Sequence, residues 1–257
     1  MIELDDVTRT FGRKVAVDRL SMTIPPGELF AFLGPNGAGK TTTIKMIVGL
    51  LRPTSGTVRV CGHDTLAEPR EAASLLGYVP EEPFLYEKLS GRELLEFTGR
   101  MRGFSPAETA ARIARQTEAF VMADFVDALV ETYSHGMRQR LAFASAMLHD
   151  PAVLVVDEPT VALDPRSVRL LKDLLREKAS GGTTIFVSTH TLTLAEEIAD
   201  RIGIVDCGRL AFLGTRDDAR RHASSPEMSL ERLFLDLTEE GNGHASSGGR
   251  LPAGTGE

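Results

Sequence analysis

Apolar residues follow two rhythms along this chain, and the changes between them mark its organisation. Residues 2–4, 15–17 and 20–24 are short β-like runs separated by turns, and they end at Pro25-Pro26-Gly27. The unbroken apolar run Leu29-Phe30-Ala31-Phe32-Leu33 predicts a buried strand, and residues 42–51, with Ile44, Met46, Ile47 and Leu50, predict an apolar-faced helix. Residues 56–60 and 75–79 are further strand candidates, the second closed by Pro80. From about residue 90 to 130 the rhythm becomes helical, with Leu94, Leu95 and Met101 on one face and Ala110, Ile113, Ala114 and Thr117 on another. Strands return at 152–156, 183–187 and 202–205, and between the first two Asp164 and Pro165 predict an N-cap and first turn of a helix. Strands alternating with helices imply an α/β fold with a mostly parallel sheet and right-handed crossovers, the helical stretch being an inserted lobe. A last amphipathic helix is predicted over 229–237, with Leu230, Leu233, Phe234 and Leu237 on one face. Residues 241–257 collapse into Gly, Ser and Ala, have nothing to bury and are expected to be disordered.

Composition narrows the class without choosing the function. A chain of 257 residues with 42% apolar and 25% charged residues suits one large globular domain with a modest insertion. The net charge of -7 argues against nucleic-acid binding as the main activity. No run of apolar residues is long enough to span a membrane, and the acidic start Met1-Ile2-Glu3-Leu4-Asp5-Asp6 lacks the order of a signal peptide. Cys61 and Cys207 have no metal-ligand spacing and are expected to be reduced, which fits a cytoplasmic setting.

The chemistry sits at the ends of the predicted strands. Gly34-Pro35-Asn36-Gly37-Ala38-Gly39-Lys40-Thr41 fits GxxxxGK[ST], between a strand and a helix. Its glycines let backbone N–H groups turn toward an anion, and the helix N-terminus adds its positive dipole end. Lys40 is expected to reach the β/γ-phosphates and Thr41 to ligate Mg²⁺. The strand at 153–156 runs into Asp157 and Glu158, one carboxylate for the metal and one to polarise the attacking water as general base. His190 follows another strand and is expected beside the γ-phosphate. Ser134 and Gly136 open an apolar helix and are expected to form a second anion site, although capping of that helix alone would explain Ser134. Two phosphate-binding elements in one chain have a reason if two subunits pack head to tail, each closing over the other's nucleotide.

This set resembles the ATP-binding subunit of an ABC transporter, in the family's order over roughly residues 1–220. The matching features are the phosphate loop at 34–41, Asp157-Glu158, the signature at 134–137, Leu163-Asp164 as D-loop and His190 as switch histidine. The resemblance implies a P-loop NTPase core with an N-terminal antiparallel β subdomain and a helical lobe at about 90–135, followed by the helix and tail. It implies that residues 34–41, Thr42, Ser134, Gly136 and Met137 contact ATP, and that Phe11 stacks on adenine, although Phe11 also reads as an ordinary strand-end aromatic. Three positions depart from the family's pattern. The signature is Tyr-Ser-His-Gly-Met in place of LSGGQ, Val161-Ala162 precede Leu163, and Glu81 stands where Gln is usual. Glu81 is still expected near Mg²⁺, adding negative charge.

The resemblance further implies an ATPase that dimerises with itself or a homologous subunit around two Mg-ATP. It implies a separate integral membrane permease, a cytoplasmic location at the inner face of the membrane, and no nucleic-acid partner. Pro80-Glu81-Glu82 and the signature are similar to those of two-component exporters. Residues 90–130 with the loop at 81–87 are expected to meet the permease, with Leu85 and Tyr86 either exposed as anchors or packed within the lobe. A rival is a soluble ABC-type ATPase acting on DNA or ribosomes, against which stand the short span from Lys40 to Tyr133 without sustained heptads and the single cassette. A nucleotide-gated module without turnover is opposed by Glu158 and His190. A GTP switch lacks any Asn-Lys-x-Asp guanine reader.

Overall fold

The computed structural model describes residues 1–160, 165–222 and 230–243. Its elements in chain order are β1 (Ile2–Phe11), β2 (Lys14–Ile24), β3 (Leu29–Leu33), α1 (Lys40–Ile47), β4 (Ser55–Val60), β5 (His63–Asp64), α2 (Pro69–Ser74) and β6 (Leu76–Val79). Then follow α3 (Gly91–Met101), α4 (Pro106–Ala119), a 3₁₀ turn (Val130–Thr132), α5 (His135–Met147), β7 (Val153–Asp157), α6 (Pro165–Ser180) and β8 (Thr184–Thr189). The chain continues through α7 (Leu192–Ile198), β9 (Arg201–Asp206), β10 (Arg209–Thr215), α8 (Arg216–His222) and α9 (Leu230–Gly243).

The larger sheet has the order β10-β9-β3-β8-β7-β6, with every neighbouring pair parallel except β9 with β10. Because β3, β7, β8 and β6 run the same way, their C-terminal ends meet along one edge, where open α/β sheets bind ligands. The alternation in β3 shows how the sheet is covered. Leu29, Ala31 and Leu33 join the core formed with α5, α6, α7 and the helical lobe. Phe30 and Phe32 join the opposite core, with α1 and the antiparallel sheet β2-β1-β4-β5. Phe186 of β8 completes an aromatic trio there, at centroid separations of 5.7 and 5.3 Å. Both faces of the strand are buried, which is why its sequence is apolar without a break.

Several boundaries differ from the pattern-based expectation. The three β-like runs at the start are two long strands, because Asp6 and Arg19 adopt left-handed φ of 48° and 49° and carry bulges through the polar breaks. The helix expected at 42–51 begins at Lys40 and stops at Ile47. In α3 Leu94 and Leu95 are buried as expected, but Met101 is 72% exposed. In α4 Ile113 is buried, whereas Ala110 and Ala114 face solvent; Thr109 and Gln116 take the inner positions. Of the two readings open for Leu85 and Tyr86, Leu85 takes the packed one, buried against the lobe, and Tyr86 beside it the exposed one. The final helix extends beyond Gly241 to Gly243, with Leu230 and Leu233 on its buried face. The D-loop at 161–164, Ser229 and residues 244–257 lie outside the described residues.

The lobe is built from locally explicit signals. Ser90 caps α3 through a reciprocal pair, Glu93 N donating to Ser90 Oγ at 3.2 Å and Ser90 N to Glu93 Oε2 at 2.8 Å. Ser105 caps α4 and Pro106 occupies its first position. Their inner faces pack on α5 through Leu95, Ile113, Phe120 and Phe143.

Candidate active site

The phosphate loop leaves the sheet at Leu33 and turns into α1 in a space set by backbone contacts. A side chain at Gly34 would place its Cβ 2.4 Å from the Val205 carbonyl oxygen of β9. Gly39, the N-cap of α1, has φ 106° and lies so close to β2 that a Cβ would meet the Ala16 carbonyl oxygen at 2.5 Å. Only glycine satisfies both conditions at position 39. The loop is therefore clamped between β2 of one sheet and β9 of the other.

Lys40 is the first residue of α1, and only 6% of it is exposed. Its ammonium donates to Gly34 O at 2.7 Å and Pro35 O at 3.3 Å, and lies 3.4 Å from Glu158 Oε1. All three ammonium donors thus have partners. Asp157 ends β7 and Glu158 follows it, 2% and 6% exposed. Glu158 has a left-handed φ of 46°, a strained conformation for a non-glycine residue. Its N–H holds that geometry by donating to Ser188 O at 3.0 Å and Ser188 Oγ at 3.3 Å. The Ser188 hydroxyl in turn donates to Asp157 Oδ1. His190 Nδ1 lies 2.9 Å from Glu158 Oε2, and its backbone N–H donates to the same oxygen at 3.3 Å. One carboxylate therefore joins the loop lysine to the histidine.

Burial pushes the Asp157 carboxyl above its usual range, and the nearby Glu158 charge acts the same way; hydrogen bonds from Ser188 and Thr41 and the charge of Lys40 oppose them. A buried carboxylate beside a hydroxyl, with its charge only partly compensated, is a hard oxygen donor set that fits Mg²⁺. Among the described residues no three His, Cys, Asp or Glu side chains cluster as a complete cage.

A cleft of about 310 Å³ opens over these groups, lined by Phe11, Lys14 and Ala16 from the antiparallel sheet, by loop residues 35–37 and 39–42, and by Glu81, Glu158 and His190. Most of the residues expected at the phosphates, the metal and the base thus converge, with Glu81 reaching the same edge from the end of β6, whereas Gly34, Ala38 and Asp157 are buried beneath the cleft and do not line it. Ser134, Gly136 and Met137 do not line it. Ser134 is exposed at the N-terminus of α5, its hydroxyl accepting from Met137 N at 3.3 Å. Lys14, Ala16 and Ser188 went unforeseen. Ser188 follows an apolar strand as Asp157 does, and that shared strand-end position was its available signal.

A phosphate loop on a parallel sheet with paired carboxylates at the same edge defines a P-loop nucleoside triphosphatase. A family model described as ABC transporter matches residues 17–161. The daunorubicin/doxorubicin resistance ATP-binding protein DrrA of Streptomyces peucetius is 38% identical, covering 89% of this chain and 69% of that protein. The Nod factor export ATP-binding protein I of Paraburkholderia xenovorans is 40% identical, covering 81% and 68%. A solved ATP-binding subunit of an ABC transporter superposes with a TM-score of 0.86 at 32% identity, covering 92% of this chain and 99% of that one. The dimeric bacterial cassette MJ0796 in a post-hydrolysis state with ADP and Pi gives a TM-score of 0.74 at 26% identity, covering 84% and 98%. The chain belongs to the ABC transporter family, as an ATP-binding and ATP-hydrolysing subunit.

Proposed function

We propose that this protein dimerises around two Mg-ATP and uses their hydrolysis to drive export through a separate membrane permease, working at the inner face of the membrane. The observation that carries the reading is the Lys40–Glu158–His190 cluster, which supports hydrolysis in preference to nucleotide sensing alone. Lys40 and the loop amides at 34–41, with Thr42, bind the phosphates, and Phe11 stacks on the base. Glu158 Oε accepts the proton of the attacking water while His190 Nδ1–H holds the carboxylate in place. Thr41, Asp157 and Glu81 are the residues that would hold Mg²⁺, which neutralises phosphate charge when bound. Ser134, Gly136 and Met137 serve the partner's nucleotide, since they lie away from this chain's own cleft. Relatives named for drug resistance and Nod factor export support the exporter reading.

Among the described residues no helix is long and apolar enough to cross a membrane, so a permease contact has to be made from a surface. The best surface is a groove of about 330 Å³ between the lobe and the core, lined by Leu50, Tyr78, Pro83, Phe84, Thr98 and Arg102 among others. Phe84 is 89% exposed and stands edge-to-face with Tyr86, which meets Phe97 in the same way. Tyr86 and Phe84 replace Leu85 as the exposed anchors. Glu158→Gln is near-isosteric and cannot accept the proton, so turnover should fall about 10²–10⁴-fold with ATP binding retained. Unchanged turnover would overturn the assignment of the base. Crosslinks from Phe84→Cys or Tyr86→Cys to a co-expressed permease test the docking face.

A further inference from the structure

The Phe11 ring has two faces, and they are used differently. Phe11 is 47% exposed and lines the nucleotide cleft, whereas Arg9 does not line it. Arg9 lies two residues earlier on β1, on the same side of the strand. Its guanidinium carbon sits 4.5 Å from the centroid of the Phe11 ring. Arg9 Nη1 donates to the Arg52 carbonyl at 2.9 Å, which ties the group to the turn before β4. Its Nε is buried and has no hydrogen-bond partner, and among the described residues no carboxylate pairs with Arg9. A partly desolvated guanidinium without a counter-carboxylate interacts with a π-face more strongly than a solvated one does.

We infer that Arg9 is a positioning residue for base recognition, backing the Phe11 ring so that its opposite face receives the adenine. This rests on the reading that Phe11 stacks on the base. Two effects follow from the geometry. The cation fixes the ring against rotation away from the cleft, so less freedom is lost when the base stacks. It also draws electron density from the ring, which favours an electron-rich purine on the far face. Arg9 therefore acts on the base through Phe11, and its contribution disappears when either the base or the ring is removed.

The test is a set of equilibrium titrations of the full chain with Mg-ATP and, separately, Mg-tripolyphosphate, which carries the phosphates without a base. Arg9→Gln keeps a donor for the Arg52 carbonyl but removes the charge, and Arg9→Lys keeps the charge. Arg9→Gln should weaken Mg-ATP about threefold and leave tripolyphosphate unchanged, with Arg9→Lys close to wild type. In a Phe11→Ala background, Arg9→Gln should have no further effect. An equal loss of tripolyphosphate, or a loss that persists without Phe11, would show a general field on the phosphates and overturn the proposal. If Phe11→Ala weakens Mg-ATP but Arg9→Gln does not, only the role of Arg9 fails. If Phe11→Ala binds Mg-ATP like wild type, the stacking reading fails and takes this proposal with it.

Discussion

The phosphate loop and the start of α5, the two elements proposed to bind phosphate, are built in opposite ways. At the phosphate loop, Lys40, Asp157 and Glu158 are almost fully buried and linked through Ser188, His190 and two loop carbonyls. At the start of α5, Ser134 is exposed, and among the described residues its side chain's one hydrogen bond caps its own helix. Behind Ser134, by contrast, Leu141, Phe143 and Ala144 are fully packed, so the serine is held rigidly at a surface. A buried, interlocked half and an exposed, rigidly presented half are what a site shared between two copies requires. On the proposed reading, the buried half is completed within the chain and the exposed half is completed by a second copy.

The largest effect should come from the buried half. Lys40→Ala removes the loop's ammonium and leaves Glu158 as an uncompensated buried charge, so ATP turnover should fall by at least about 10³-fold, with stability reduced by about 3 kcal/mol or more. The double variant Lys40→Ala/Glu158→Gln sharpens the point: stability should recover while nucleotide binding stays lost. Recovery of neither in denaturation and binding assays would mean that the pair does not hold this half together.

Ser134 tests the exposed half. Ser134→Ala removes the cap and should cost about 1 kcal/mol of stability, with ATP binding to the separate subunit unchanged and turnover of the assembled protein reduced on the order of tenfold. Weakened binding to the separate subunit, read by nucleotide titration at low protein concentration, would break the distinction between the halves.

A smaller effect reports on the joint between them. His149, just past α5, lies with Nε2 3.2 Å from the Leu76 carbonyl of β6, stapling the end of α5 to the sheet. Burial, aided by the charge of Arg102, holds its pKa down at about 4. The unfolded chain therefore takes up a proton below pH ~6.5 that the folded chain refuses, so this contribution is complete above that pH and is lost as pH falls toward about 4. Urea midpoints should drop between pH 7.5 and 5 by the equivalent of roughly 1–2 kcal/mol, and His149→Gln should flatten that slope. An unchanged slope in the variant would assign the acid sensitivity elsewhere.

The smallest effect belongs to the lobe's exposed ion pairs. Lys88 and Glu131 lie 2.5 Å apart with Lys88 almost fully in solvent, so Glu131→Gln should leave the melting temperature almost unchanged. A larger loss in thermal melts would show that the lobe depends on surface charge more than on its Leu95–Ile113–Phe143 core.

How far the sequence carried the reading follows the same division. β3, β7 and β8 were legible to within two residues because strands buried on both faces leave unbroken apolar runs. The phosphate loop and both carboxylates followed directly from those strand ends. The lobe was harder, since α4 buries Thr109 and Gln116 and exposes Ala110 and Ala114, which inverts the signal that apolar periodicity reads. The bulges at Asp6 and Arg19 were hidden because left-handed backbone at non-glycine residues leaves no pattern. Lys14 and Ala16 were missed because they enter the cleft from β2, and the approach of that sheet to the phosphate loop is a tertiary contact. Arg9 was invisible for the same reason: its partner is a ring face and a distant carbonyl, not a neighbouring charge.

The measurement that bears most directly on the shared site is the solution mass of Glu158→Gln by light scattering, with and without Mg-ATP. Blocked hydrolysis should hold two copies together, giving a dimer with Mg-ATP and a monomer without it, and Ser134→Ala added to this variant should weaken the dimer. A variant that binds Mg-ATP and yet remains a monomer at every protein concentration would contradict the account.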